Sequence, residues 1–119
     1  MSAEGWDFKA QRADTEWVFR QLLAQGVAAR GRRVALDVLL VPAEEQEGAR
    51  PDPEGLVRAL RREGFEAHLA RDEGRTVVEA TAPDTPFDLE EIWLREKRAT
   101  RIALRHGYEP EGWGFPEED

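Results

Sequence analysis

The sequence has no cysteine and no asparagine, one serine (Ser2), two histidines (His68 and His106) and two lysines (Lys9 and Lys97). Without cysteine it has no disulfide framework, thiolate metal site or cysteine nucleophile. With its only serine beside the N-terminus, a serine nucleophile has no place in the core. The histidines lie far apart in sequence and neither has a ligand partner at i+4, so no metal-binding or acid–base pair emerges. No glycine run matches a phosphate-cradling or dinucleotide pattern. No apolar stretch approaches membrane-spanning length, and the first residues lack the basic-then-apolar order of a signal peptide. The expectation is a cytoplasmic protein without catalytic residues, metal or cofactor.

What is present is charge and aromatic surface. The chain has 119 residues, 35% of them charged and 40% hydrophobic, and a net charge of −8. One domain of this length buries an adequate core without staples. The negative balance disfavours non-specific nucleic-acid binding, which needs a positive surface.

Periodicity predicts a helix from about Asp14 to Gln25, capped by Asp14 or Thr15 and ended by Gly26, with Val18, Phe19, Leu22 and Leu23 inward and Trp17 at the edge. Trp6 and Phe8 are expected to tie down the segment before it. A strand follows from Val34 to Val41, with Val34, Leu36, Val38 and Leu40 on one face and Asp37 in the middle of the other. After an acidic loop carrying Glu44, Glu45 and Glu47, Asp52-Pro53 starts a second helix that runs to Glu63. Phe65 to Arg71 reads as a strand with Phe65, Ala67 and Leu69 inward. Asp72-Glu73-Gly74-Arg75 is a hairpin turn, and Thr76 to Ala82 the return strand. Pro83-Asp84-Thr85-Pro86 reads as a rigid connector. A third helix runs from Phe87 or Asp88 to His106, with Asp88 and Glu91 spaced as a capping box. Leu89, Ile92, Trp93, Ala99, Ile102 and Ala103 form its buried side. The order is α-β-α-β-β-α, with room for a short last strand in the tail: one α+β domain, a two-layer sandwich whose natural closure is ferredoxin-like.

Three groups of residues invite a functional reading. The first is Glu111-Gly112-Trp113-Gly114, an aromatic anchor between two glycines free to take positive φ or to admit another backbone. The second is Asp37, a carboxylate in an otherwise apolar strand, which must face solvent, an arginine or a partner; with Glu79 it fits a polar outer sheet face. The third is Arg95, Arg98, Arg101 and Arg105, a basic stripe on the last helix, offset by intrahelical pairs such as Glu91 with Arg95. His68 reads as an outward strand residue, and His106 as a last-turn residue that complements the helix dipole.

In order and spacing, three motifs resemble the ribonuclease E inhibitor B family of bacterial regulators of RNA turnover. They are the opening helix from Arg12 to Gly26, ending Leu22-Leu23-Ala24-Gln25-Gly26; the helix end and strand start Gly64-Phe65-Glu66; and Glu111-Gly112-Trp113-Gly114. The chain has Pro110-Glu111 where the family commonly has Tyr-Asp, with Tyr108 displaced upstream, and only Glu117-Glu118-Asp119 where better-known members carry a long acidic extension. The resemblance implies a ferredoxin-like fold and a regulator that binds a ribonuclease E-like enzyme or RNA-decay assembly. Trp113, Gly112, Gly114, Glu111 and Asp37 are the expected partner-binding residues. The alternative is direct RNA binding through Arg95, Arg98, Arg101 and Arg105. A homodimer through the sheet is a further option.

Overall fold

The computed structural model describes residues 5–43 and 50–116. The acidic-loop residues Glu44, Glu45 and Glu47, the terminal Glu117-Glu118-Asp119 and Ser2 lie outside this range. The elements are α1 (Phe8–Ala24), β1 (Arg33–Pro42), α2 (Pro53–Arg62), β2 (Glu66–Asp72), β3 (Arg75–Pro86), α3 (Leu89–Leu104) and β4 (Tyr108–Gly114). The strands form one antiparallel sheet in the order β2-β3-β1-β4. The molecule is therefore an α+β sandwich, with β1 central between β3 and a β4 strand formed by the tail. Among the described residues, no helix is long and apolar enough to cross a membrane.

Alternation along β1 and β3 divides the sheet. Leu36, Val38 and Leu40 pair with Ala82, Ala80 and Val78, and all six are buried in the core with α2 and α3 residues such as Leu56, Leu60, Ile92 and Ala103. Phe19 of α1 joins this core and stacks on Phe87, their ring centroids 4.7 Å apart. Asp37, Leu39, Glu79 and Thr81 alternate to the opposite, half-buried face.

Several boundaries differ from the sequence expectation. Helix α1 begins six residues before Asp14, because Asp7 accepts a hydrogen bond from the Ala10 amide at 3.0 Å and caps it; Asp14 and Thr15 lie inside the helix. The expected connector Pro83–Pro86 is the end of β3. The register shift between Val34 and Leu36 gives β3 an extra residue there, and a bulge tolerates a proline that cannot donate to the ladder. The capping box on α3 is absent: Asp88 makes no side-chain cap bond, and the Glu91 carboxylate instead accepts from Arg95 at 2.9 Å. Helix α3 ends at Leu104 rather than His106, whose Nδ1 donates to the Ile102 carbonyl at 2.9 Å. Leu69 is 42% exposed, because β2 is an edge strand with a neighbour on one side only.

The turn after β2 has Glu73 and Gly74 both at positive φ, the geometry that matches the twist of a two-residue hairpin. Asp52 caps α2 through the Gly55 amide at 3.1 Å, with Pro53 in the first helical position. Gly107 is required for two reasons. Its φ is +75°, and a Cβ there would sit 2.6 Å from the Arg50 carbonyl oxygen. It is the pivot that turns α3 into β4.

Candidate functional site

Strand β4 pairs along the free edge of β1, setting Trp113 opposite Val38, Gly112 opposite Leu39 and Gly114 opposite Asp37. Paired residues share a face, so Trp113 lies on the helix side and packs half-buried against the core. The glycines lie on the outer side. Neither has positive φ, and a Cβ at either would meet nothing within 4 Å. Of the two uses the sequence allows, positive φ is not the one taken: they are ordinary strand residues that leave the surface bare. The register slips between Leu39 and Leu40, making Glu111 the extra residue of a bulge, a feature that re-aims a side chain. Its carboxylate lies 3.5 Å from Arg75, which also lies 3.6 Å from Asp72.

The result is an open concavity of about 410 Å³ on the outer sheet face. The five residues expected at a partner interface, Asp37, Glu111, Gly112, Trp113 and Gly114, all line it, joined by Leu39 and Glu79. None of the lining residues is a lysine or arginine. Leu39 and the glycines give an apolar floor, and the carboxylates stand around it. Asp37 accepts a hydrogen bond from its cross-strand partner Thr81 at 2.6 Å. Glu79 pairs with cross-strand His68 at 2.5 Å, both well exposed. Among the described residues no group of three or more carboxylates or histidines is close enough to hold a metal ion. The concavity is lined by backbone, apolar side chains and carboxylates. It can present hydrogen-bond acceptors and negative charge to a bound surface.

The arginines of α3 do not meet this concavity. Arg95 is half-buried and occupied with Glu91. The Arg101 guanidinium lies 5.5 Å from the centre of the Phe8 ring. Arg98 borders a separate hollow beside Asp84 and Glu63, and Arg105 is exposed at the helix end.

One polar centre escaped the sequence reading. Glu96 of α3 is only 3% exposed. Its carboxylate accepts from the Thr15 hydroxyl at 2.5 Å and from the Gln11 amide at 3.0 Å. Gln11 also donates to Thr100 at 2.9 Å and accepts from the Trp6 indole N–H at 2.8 Å. Burial pushes the Glu96 carboxyl above the usual carboxylate range, against the lowering effect of the Thr15 and Gln11 bonds and helped by the nearby charge of Asp14. The signal was available in the sequence. Glu96 falls within the inward stripe of α3 between Trp93 and Ala99, and Gln11 and Thr15 continue the inward stripe of α1. Matching polar interruptions on two helices mark a polar seam between them.

The protein is an α+β sandwich whose outer sheet face carries this concavity. No protein-family model matches this sequence, and no curated protein sequence matches it.

Proposed function

We propose that this protein is a non-catalytic regulator that binds a ribonuclease E-like enzyme or its RNA-decay assembly through the open face of its sheet. The observation that carries this reading is the convergence of Asp37, Glu111, Gly112, Trp113 and Gly114 on one acidic concavity lined by no cation. The strand order β2-β3-β1-β4 around two crossover helices supports a ferredoxin-like domain preceded by an extra helix. That is also the fold implied by the resemblance to the ribonuclease E inhibitor B family.

A basic, RNA-handling surface is the natural complement of this face. Charge complementarity speeds encounter and rejects wrong partners. The bare glycine surface lets a partner backbone approach the sheet, and Leu39 supplies apolar contact. Trp113 then acts from beneath, fixing β4 onto β1 while one side of the residue borders the concavity. Binding occludes the partner's RNA-contacting surface and slows RNA processing. Two copies of the same acidic face repel each other, which disfavours a homodimer through it. RNA meets the same repulsion here, and the arginines of α3 are divided among Glu91, the Phe8 ring and separate surfaces.

The test is binding of purified ribonuclease E, its catalytic and scaffold regions assayed separately, to the wild type and to Glu79→Lys/Glu111→Lys. The reading predicts saturable binding by the wild type and at least a tenfold loss, about 1.4 kcal/mol, in the variant. Equal binding by both proteins would remove the sheet face from the account.

A further inference from the structure

Two different kinds of contact fix helix α1 to the rest of the molecule. Its second half is seated by apolar packing: Phe19 is buried and stacks on Phe87, and Leu22 and Leu23 pack partly buried against the core. Its first half, with the preceding Trp6, is held by polar groups. Thr15 and Gln11 donate to the two carboxylate oxygens of Glu96, Gln11 also donates to Thr100, and the Trp6 indole donates to Gln11. Surface contacts flank this seam: the pair Arg12–Glu90, and Phe8 beneath the cationic groups of Lys97 and Arg101. Thr15 and Phe19 are the buried residues of the 17-residue α1, whereas five of the ten residues of α2 are buried, so α1 is the more weakly held helix. We propose that the segment from Trp6 to Thr15 is a releasable arm latched by Glu96: it lies against α3 while that carboxyl is protonated and detaches when the proton is lost.

The seam is complete when neutral. A protonated Glu96 donates to the Thr15 oxygen, which can accept as well as donate, and its second oxygen still accepts from Gln11. Thr100 is satisfied without the charge, because its hydroxyl donates to the Glu96 backbone carbonyl at 2.8 Å. An ionised Glu96 places a full charge in a buried seam against two neutral donors, which is costly without a counter-ion. Among the described residues its charged neighbours do not balance it. Asp14 on α1 has the same sign and acts against ionisation. Glu111 on β4 borders the same cleft, with its carboxylate turned to Arg75. On α3, Lys97 and Arg101 lie on the Phe8 ring and Arg95 is paired with Glu91; Arg12 on α1 is paired with Glu90. Burial accordingly holds the Glu96 carboxyl above its ordinary range, and detachment of the arm returns it to water.

The rest of the fold survives the release. Helix α1 adds no strand to the sheet, whose core face is packed by α2 and α3. The arm walls a cleft of about 360 Å³ that Trp113 also lines. Release therefore opens this cleft and bares the part of Trp113 that borders it. It requires no partner and is independent of the sheet face. Its sign follows from linkage: the closed arm holds the proton more tightly than the open one. The open population thus grows as pH rises from the ordinary carboxylate range and levels off above the folded-state pKa. Between those limits the opening constant rises by about tenfold per pH unit.

Native-state hydrogen exchange of the full chain, followed by NMR from acid to neutral pH and at low urea, tests the release. A detached segment of this length does not hold a helix by itself, so its amides exchange when the arm opens. Protection of the amides from Gln11 to Thr15, corrected for the intrinsic rate, should lie below that of β1 and β3 and be insensitive to low urea. It should fall by up to about tenfold per pH unit as Glu96 ionises, and the Trp6 indole N–H should follow it. The amides of Leu23 and Ala24, in the seated half of α1, should stay protected. Glu96→Gln keeps both hydrogen bonds without a charge and should make the protection of the arm independent of pH. Asp14→Asn, at an exposed position, removes the like charge and should reduce the total loss of protection. Exchange of the arm only through global unfolding, with the protection and urea dependence of the sheet, would overturn the proposal, as would a pH response that survives in Glu96→Gln.

Discussion

Glycine does opposite things at two places in this chain. Gly107 combines a φ of +75° with a Cβ position 2.6 Å from the Arg50 carbonyl oxygen, so Gly107→Ala adds left-handed strain of about 1–2 kcal/mol to a backbone clash. Urea unfolding should show a loss of at least about 2 kcal/mol. Gly112 has ordinary φ and open space around its missing Cβ, so Gly112→Ala should change stability by no more than about 0.5 kcal/mol while weakening partner binding. The aromatic-glycine motif was legible in the sequence as something unusual. Its geometry was not, because a glycine needed for φ and one needed for bareness look the same in one dimension. Glu96 gives a second residue-scale expectation. Its folded-state pKa lies above its ordinary value because burial disfavours the charged form. Its contribution is therefore fully present below the ordinary carboxylate range and is lost as pH rises through the folded-state pKa. Glu96→Gln abolishes that titration. The stability of the wild type relative to the variant, measured by urea unfolding across acid to neutral pH, should fall as pH rises; a difference independent of pH would contradict the assignment.

At the scale of elements, what was legible followed local chemistry. Asp52-Pro53 announced the start of α2, Gly64 its end, and alternation in β1 its two faces. What was missed depended on tertiary partners. Nothing near Asp7 distinguishes it as a cap from Asp14 or Thr15 until Gln11 and Thr15 are seen to be committed to Glu96 across the seam with α3. Pro83 and Pro86 read as strand breakers; the bulge opposite Val34–Leu36 makes room for Pro83 within β3, and Pro86 is the strand's last residue. The capping box on α3 failed because Arg95 competes for Glu91. These assignments separate two substitutions that look alike in sequence. Asp52→Ala removes a side-chain cap and should cost about 1 kcal/mol, whereas Asp88→Ala removes no cap bond and should cost clearly less. Thermal unfolding of the two variants side by side checks the ordering.

At the scale of the whole molecule, charge distribution decides more than total charge. Within a chain of net charge −8, Asp37, Glu79 and Glu111 stand on the sheet face around Leu39 and two bare glycines, Glu111 beside Arg75 and Glu79 beside His68, while the arginines of α3 lie elsewhere. An acidic face of this kind favours a basic protein partner, with association that slows as salt screens the approach. The measurement that tests the account most directly is the rate and affinity of ribonuclease E binding at low and physiological salt, for the wild type and for Glu79→Lys/Glu111→Lys, beside binding of single-stranded RNA to the same proteins. The account predicts that the wild type binds the enzyme, that salt slows association, that the double variant loses at least tenfold in affinity, and that RNA is not retained. Enzyme binding unchanged in the variant, or RNA binding abolished by Arg98→Glu/Arg101→Glu, would contradict it.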